Sequence, residues 1–231
     1  MTANQPRIAV VTAGGTREPI DEVRYIANAA TGALPCAIAE HLLQWGWQVH
    51  YMHGLGAKLP EIQDDRLVLH PIGTADSAAR ELARLCRTHQ PQLTVCAMAV
   101  ADYAPRPAEG KLSSHLAQPG QPLLLALYPT PKTIDVVKVA APHTFLLGFK
   151  LLAGADEAAQ FAAAVQLAAR SKADLVLTND MRRYASGVSE GVLVAPDGSV
   201  VARLGGGTGA DGRSQFAKEI VNCVVERLNQ Q

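Results

Sequence analysis

Three short stretches of this sequence carry residue types that can act on a charged small molecule. Ala13-Gly-Gly-Thr16 follows directly on the apolar, β-branched run Arg7-Ile-Ala-Val-Val-Thr12, and a run of that kind bounded by glycines reads as a buried strand. Gly14 and Gly15 let the backbone turn sharply and bring its N–H groups close to an anion. Arg17 and Arg24 add fixed positive charge beside that turn. A second small-residue turn, Asn28-Ala-Ala-Thr-Gly32, precedes an apolar helical pattern. Two polar turns in series between one strand and one helix exceed the usual connection of roughly 2–6 residues. That excess marks the expected binding site.

The second stretch, Ala97-Met-Ala-Val-Ala-Asp-Tyr103, follows another buried strand and delivers Asp102 to its carboxyl end. Most aspartates in such places cap a turn or helix; the alternative is a carboxylate beside a magnesium-bound triphosphate or a nucleoside hydroxyl. Lys111 stands isolated in the loop leaving the same strand, as a solvated lysine or a ligand contact. The third group is His50, His53 and His70, on neighbouring strands. No carboxylate is evident to orient them, so no protein metal site is expected, Asp102 being the single candidate ligand. No cysteine has an evident histidine partner, which sets thiol catalysis aside.

Several function classes drop out on composition. The 231 residues can bury a full core, and 48% hydrophobic with 18% charged residues is the make-up of a soluble globular protein. Lys plus Arg and Asp plus Glu both number 21, so no basic field invites nucleic acid. No run of ~18 apolar residues suggests a membrane span, and the first residues lack the regions of a signal peptide. Cys36, Cys86, Cys96 and Cys223 show neither pairing nor metal spacing and read as buried free thiols of a cytoplasmic protein.

The elements that must position these groups alternate. Leu34, Ile38, Leu42 and Trp45 form a helical stripe closed by Gly46. Trp47-Gln-Val-His-Tyr-Met52 and Leu67-Val-Leu-His70 read as strands. Thr74 or Asp76 caps a helix to about His89, and Leu93-Thr-Val-Cys-Ala-Met98 is a strand. Residues 100–122 are irregular, and Pro122-Leu-Leu-Leu-Ala-Leu127 resumes as a strand. Thr130 or Pro131 opens a helix to about Ala141, with Pro131 at its first position. Then come a strand at 144–149, an alanine-rich helix at 156–171 and a strand at 175–178 closed by Asn179-Asp180. Asp197-Gly198 signals a hairpin between 191–194 and 199–202. Gly205-Gly-Gly-Thr-Gly209 reads as a flexible loop before a closing helix over 214–228. This order implies an α/β fold: a single Rossmann-like domain over 1–231, with a doubly wound, mostly parallel sheet, helices on both faces and a late antiparallel hairpin. Ligands then sit at the carboxyl ends of the strands, where the polar segments converge. Ala13-Gly-Gly-Thr16 matches neither the dinucleotide fingerprint nor a P-loop. The second strand ends in His53-Gly-Leu-Gly56 without a carboxylate before Glu61, which argues against NAD.

Taken together, these segments resemble the phosphopantothenate–cysteine ligases (phosphopantothenoylcysteine synthetases) of coenzyme A biosynthesis. Thr12-Ala-Gly-Gly-Thr-Arg-Glu-Pro-Ile-Asp21 with Val23-Arg-Tyr-Ile-Ala-Asn-Ala-Ala-Thr-Gly32 looks like the family's opening signature. Ala99-Val-Ala-Asp-Tyr103 looks like its second motif, and Lys111 falls at its loop lysine. Thr130-Pro-Lys-Thr-Ile134, Gly148-Phe149 and Ala173-Asp-Leu-Val-Leu-Thr-Asn-Asp180 match further segments in order. The family's Ser-Ser-Gly-Lys-Met-Gly run reads Ala30-Thr-Gly-Ala-Leu-Pro35 here, keeping a hydroxyl at Thr31 and losing the lysine. Leu112-Ser-Ser114 carries no further lysines. Two nucleotide-binding lysines of the family align near Leu167 and Ser171, with Arg170 and Lys172 as the neighbouring cations that could replace them.

The resemblance implies a stand-alone synthetase with no flavin. In its two steps the carboxylate of 4′-phosphopantothenate attacks the α-phosphate of CTP, or of ATP, with Mg²⁺ shielding the triphosphate. Cysteine's amine then displaces the nucleoside monophosphate. Gly14, Gly15 and Thr16 are assigned to the phosphates. Ala99, Asp102, Lys111, Pro131, Lys132, Thr133, Ile134 and Phe149 are assigned to the nucleotide. Arg17, Arg24, Asn28, Ala30, Thr31 and Gly32 are assigned to the acyl substrate, with Asn28 and Lys111 catalytic. Asn28 would donate to the developing oxyanion. A homodimer with sites near its interface is expected. The rivals are a non-catalytic nucleotide-binding relative and an NAD(P)-dependent oxidoreductase.

Overall fold

The computed structural model describes residues 6–113, 120 and 122–230. Its frame is an eight-stranded sheet in the order β12-β11-β10-β9-β6-β1-β4-β5. β1 (Ile8–Ala13), β4 (Gln48–Gly54), β5 (Leu67–Ile72), β6 (Leu93–Cys96), β9 (Phe145–Leu152) and β10 (Leu175–Asp180) run parallel. β11 (Val188–Val194) and β12 (Val200–Thr208) close one side antiparallel. β1 and the first halves of β9 and β10 read as near-continuous apolar runs because both of their faces are covered. On one face α1 (Ala33–Gln44) and α6 (Gly209–Leu228) pack on Val11, Tyr51, Leu147 and Leu177. On the other, α2 (Ala75–His89), α3 (Val137–Ala140) and α4 (Glu157–Ser171) pack on Val10, Met52, Leu146 and Val176. The fold is the doubly wound α/β sheet expected from the alternation, with its antiparallel hairpin at Asp197-Gly198. Thr74 caps α2 through a capping box with Ser77.

Strand order reverses between β1 and β6. The chain steps from β1 outward to β4 and β5, then returns to place β6 on the other side. The crevice above that reversal is the place where such sheets bind ligands.

Five local expectations are corrected. The two turns after β1 contain a hairpin, β2 (Arg17–Pro19) with β3 (Tyr25–Ala27), in antiparallel register. Of Pro122-Leu-Leu-Leu-Ala-Leu127 only Leu127 is in a strand. β8 (Leu127–Pro129) pairs with β7 (Tyr103–Pro105) in a small separate ribbon. β9 takes the place beside β6 in the main sheet, which leaves Leu124 86% exposed. Thr130 and Pro131 open no helix, because the Thr130 N–H and hydroxyl are spent on the carbonyls of Asp102 and Ala101. Lys132 instead precedes a 3-10 turn, Thr133–Val136, that runs into α3.

The glycines at 205–207 continue β12 rather than forming a loop. A Cβ on Gly206 would lie 1.9 Å from the Gly212 carbonyl oxygen, so strand and helix backbones are in direct contact there. The closing helix starts at Gly209, five residues before Ser214.

Candidate functional site

At the reversal the segments leaving β1 and β6 are zipped together. Gly15 bridges Ala99 in parallel. Ala99 N–H donates to Gly14 O at 2.8 Å and Thr16 N–H to Ala99 O at 3.3 Å. Two buried hydroxyls finish the seam: Thr12 Oγ1 accepts from Met98 N–H at 3.1 Å and Thr16 Oγ1 from Ala101 N–H at 3.0 Å. Close backbone approach explains the glycines. Gly14 has φ +73°, and a Cβ there would meet the Ala57 Cβ at 2.5 Å; a Cβ on Gly54 would lie 2.0 Å from Gly15 O. Thr16 is fully buried, and its N–H and hydroxyl both serve this seam. It shapes the turn from inside.

The positive end of α1 faces the same turn. Its cap residue Gly32 is left-handed and offers no side chain, and its first turn carries no acidic residue. A Cβ on Gly32 would sit 3.0 Å from Gly14 N. Thr31 lends its hydroxyl to Ala33 N–H at 3.3 Å and its carbonyl to Lys58 N–H at 2.8 Å. Asn28, exposed beside Ala30, turns its Nδ2 to the carbonyls of Ala99 (3.4 Å) and Val100 (3.2 Å). Both neighbours are acceptors, so the NH₂ group must face them, and the carboxamide oxygen is the end left for a ligand.

On its other side, the 99–102 segment is held by the loop after β8. Thr130 N–H donates to Asp102 O at 3.0 Å, its hydroxyl donates to Ala101 O, and Lys132 Nζ meets Asp102 Oδ1 at 2.5 Å. Asp102 stays largely in solvent, as do Pro131 and Lys132. Thr133 is buried, and its hydroxyl has no partner among the described residues. Ile134 reaches under the sheet edge to within 3.3 Å of the Cβ position of Gly148. Phe149 packs on the opposite face, so the proposed nucleotide residues straddle the edge of the sheet.

Lys111 is exposed and is positioned by its neighbours. Asp21 is buried; desolvation would push its carboxyl up, but the Arg24 guanidinium and the N–H groups of Val23, Leu112 and Arg24 hold it far below the ordinary carboxylate range. Arg24 also donates to Leu112 O at 2.7 Å, and Glu22 N–H donates to Gly110 O at 3.2 Å. Both residues flanking Lys111 are thereby pinned to the hairpin. Arg17 stacks over Tyr25 at 4.7 Å and donates its N–H to Gly73 O, while buried Glu18 accepts the Ala75 N–H at 2.8 Å. Arg17 and Arg24 thus have structural duties on the hairpin as well as charge.

The aligned lysine positions hold no charge. Leu167 packs against the Cβ position of Gly148, and Ser171 is buried with its hydroxyl on Leu167 O. Arg170 reaches Asp135 at 3.1 Å, just beyond the 3-10 turn's start, and Lys172 is the left-handed cap of α4. Among the described residues no group of three potential ligands could hold a metal. His50 and His70 do meet, at 3.0 Å, and against expectation a carboxylate faces them, Glu81 at 3.2 Å from His70 Nδ1; but the two rings bond each other, and His53 lies apart on Gly54 O. Asp180 caps the short α5 (Met181–Ala185) and ties Gly154 N–H at 3.0 Å. Asp21, Thr12 and Glu18 are the site-building residues that sequence reasoning missed. Only Asp21 left a signal, its spacing of three from Arg24. No helix among the described residues is long and apolar enough to cross a membrane.

Known proteins are similar to this chain in sequence and in fold. The chain is 35% identical over 189 residues to the coenzyme A biosynthesis bifunctional protein CoaBC of Thermococcus kodakarensis, covering 81% of this chain and 45% of that one. It spans about half the length of the curated relatives it matches. The crystal structure of the DNA/pantothenate metabolism flavoprotein from Streptococcus pneumoniae superposes with a TM-score of 0.80 at 26% identity, covering 97% of this chain and 99% of that one. A mutant of Cab2 in complex with phosphopantothenate-cysteine shares the fold, with a TM-score of 0.79 at 20% identity over 97% of this chain and 87% of that one. Residues 5–203 match the family model, and the chain belongs to the family of the DNA/pantothenate metabolism flavoprotein C-terminal domain, the phosphopantothenoylcysteine synthetase part of CoaBC.

Proposed function

We propose that this chain is a nucleotide-dependent ligase that joins 4′-phosphopantothenate to cysteine through an acyl-nucleotide. One observation carries the reading: the 99–102 segment is gripped by Thr16 and Asn28 on one side and by Thr130 and Lys132 on the other, at the strand-order reversal. The residues that the family resemblance assigns to the acyl group and to the nucleotide therefore meet across one segment. The relative crystallised with phosphopantothenate-cysteine has this fold.

A carboxylate is a poor electrophile, so the chemical need is activation. In the first step the phosphopantothenate carboxylate oxygen bonds to the α-phosphorus and pyrophosphate leaves. The positive end of α1 and the Gly14-Gly15 turn supply fixed dipoles for phosphate charge. Lys111 adds a mobile cation, and Asp102, at the rim, can reach the Mg²⁺ that arrives with the nucleotide. In the second step the cysteine amine bonds to the acyl carbon and the nucleoside monophosphate leaves. Asn28 lines that step, its oxygen oriented to accept an N–H from the attacking amine. This reverses the donor role first expected of it. CTP is the preferred nucleotide in this reading, with ATP the alternative.

A second copy of the chain completes the molecule. Val23, Tyr25, Tyr103, Leu124, Leu127 and Tyr128 are exposed apolar residues on or beside the β2–β3 hairpin and the β7–β8 ribbon, and apolar residues left to water in this way favour a protein interface.

The test is pyrophosphate release from CTP and Mg²⁺ with phosphopantothenate and cysteine present. Release that does not depend on phosphopantothenate sinks the ligase reading. A second reading, a nucleotide-binding relative without turnover, is favoured by the uncharged Leu167 and Ser171 positions; it would bind CTP and release nothing.

A further inference from the structure

Tyr51 lies in β4, fully buried on the sheet face that α1 and α6 cover. A hydroxyl withdrawn from water is costly unless it is paired. Its partner is the Lys58 carbonyl, 2.8 Å away and seven residues further on, beyond the end of the strand at Gly54. Burial, with Cys36 and Glu40 nearby, pushes the phenol far above its ordinary range, so the hydroxyl keeps its proton and donates. The Lys58 backbone is held on its other side too, its N–H donating to Thr31 O at 2.8 Å. Two bonds thus run from the core of β4 through Lys58 to the residue before Gly32, the cap of α1.

Ala57 stands between these bonds and the phosphate turn. Its Cβ lies 2.5 Å from the Cβ position of Gly14 and 3.2 Å from that of Gly32, while the Gly32 Cβ position is 3.0 Å from Gly14 N. The three residues are packed together, with the Ala57 methyl in the room that two absent side chains leave. On the β6 side the Gly14-Gly15 turn is gripped by Ala99. On the β4 side it is gripped by the loop at 54–58. That loop fixes the spacing between the turn and the first N–H groups of α1, the two sets of dipoles that face phosphate charge in the ligase reading.

We propose that Tyr51 is a positioning residue for nucleotide binding: its hydroxyl holds the 54–58 loop in place, and through that loop Ala57 sets the distance between Gly14 and Gly32. The proposal rests on the ligase reading for the identity of the nucleotide. Tyr51 acts from inside the core, through the loop, and touches no substrate.

Full-length Tyr51→Phe and Ala57→Gly proteins are followed by amide hydrogen exchange, titrated calorimetrically with Mg-CTP and Mg-ATP, and assayed for pyrophosphate release. In Tyr51→Phe the Lys58 amide should exchange faster, and residues 32–34 with it, while the centre of the sheet keeps its protection. Nucleotide affinity should fall by about tenfold, because small misplacements of a binding group have effects of that size. The nucleotide KM should rise with it and the KM for cysteine should hold. A role in stability alone would lower Tm and leave the nucleotide KM of the folded protein as it was. Ala57→Gly keeps both bonds, removes only the methyl and should weaken nucleotide binding in the same direction. Folded Tyr51→Phe protein with wild-type exchange at Lys58, or with wild-type nucleotide affinity, would overturn the assignment. Should Tyr51→Phe fail to fold, unchanged nucleotide affinity in Ala57→Gly overturns it instead. Wild-type protein whose nucleotide binding depends on Tyr51 but that releases no pyrophosphate leaves this assignment standing and removes the ligase reading. Wild-type protein that binds neither nucleotide removes both.

Discussion

Arg24 Nη2 lies 2.6 Å from Asp21 Oδ2, and the same carboxylate oxygen takes the Leu112 N–H at 3.0 Å. A turn of the hairpin and the loop of Lys111 thus share one buried anion, 91 residues apart in sequence. Asp21→Ala should free three backbone N–H groups and leave the Arg24 guanidinium with only its bond to the Leu112 carbonyl. The expected result is a lower Tm, faster proteolysis next to Lys111 and a fall of about tenfold or more in kcat/KM, since misplacement by an ångström is enough for that. Unchanged proteolysis at the loop would show that Asp21 does not hold it.

Thr16 separates hydroxyl chemistry from side-chain volume. Thr16→Val keeps the shape and leaves the Ala101 N–H buried without an acceptor, at a cost of about 1–3 kcal/mol. Thr16→Ser keeps the bond and should recover most of both stability and turnover. Chemical denaturation of the two variants decides the point; equal losses would mean that the methyl group matters and the hydroxyl does not.

Acid should weaken the fold through His50. Its ring is buried, bonds His70 at 3.0 Å and stacks on His89 at 3.9 Å between centroids. Burial first, then the neighbouring His89, His70 and Arg84, pushes its pKa down to about 4. His70 and His89 are lowered too, mainly by burial, although Glu81 opposes the shift in both. A histidine depressed in the folded state contributes stability that is complete above about pH 6.5 and is lost as the pH falls toward 4. The loss attributable to His50 is at most ~3 kcal/mol. Urea midpoints between pH 4 and 7 should show this slope, and His50→Phe should flatten it. An equal slope in His50→Phe would place the acid lability elsewhere.

The fold was legible where local pattern and burial agree, as in the apolar runs of β1, β6 and β10 and the Asp197-Gly198 turn. It was misread where pattern and partner disagree. The run at residues 122–126 is apolar enough for a core strand, yet β9 occupies the place beside β6. Gly205-Gly-Gly has the composition of a loop, yet its lack of Cβ atoms lets β12 touch α6. In the candidate site, Gly14, Asn28 and Asp102 announced themselves by position after strands. What joins them did not: the bonds of Thr16 to Ala101 and Thr130 to Asp102 span 85 and 28 residues, and no local pattern encodes such pairs.

Lys132 and Asp102 supply a contrasting case, in which function should move and stability should not. Their side chains are 44% and 68% exposed, and an ion pair so open to water contributes about 0–1 kcal/mol. The loop keeps its place without it, because the Thr130 N–H and hydroxyl still hold the Asp102 and Ala101 carbonyls. Lys132→Ala should therefore leave Tm almost unchanged. It should still alter nucleotide use, because the released Asp102 carboxylate then faces the triphosphate without its neutralising ammonium. Raising MgCl₂ should restore part of the loss by supplying that charge from solution. A nucleotide KM that is insensitive both to Lys132→Ala and to added Mg²⁺ would remove this pair from the site and leave it as ordinary surface charge.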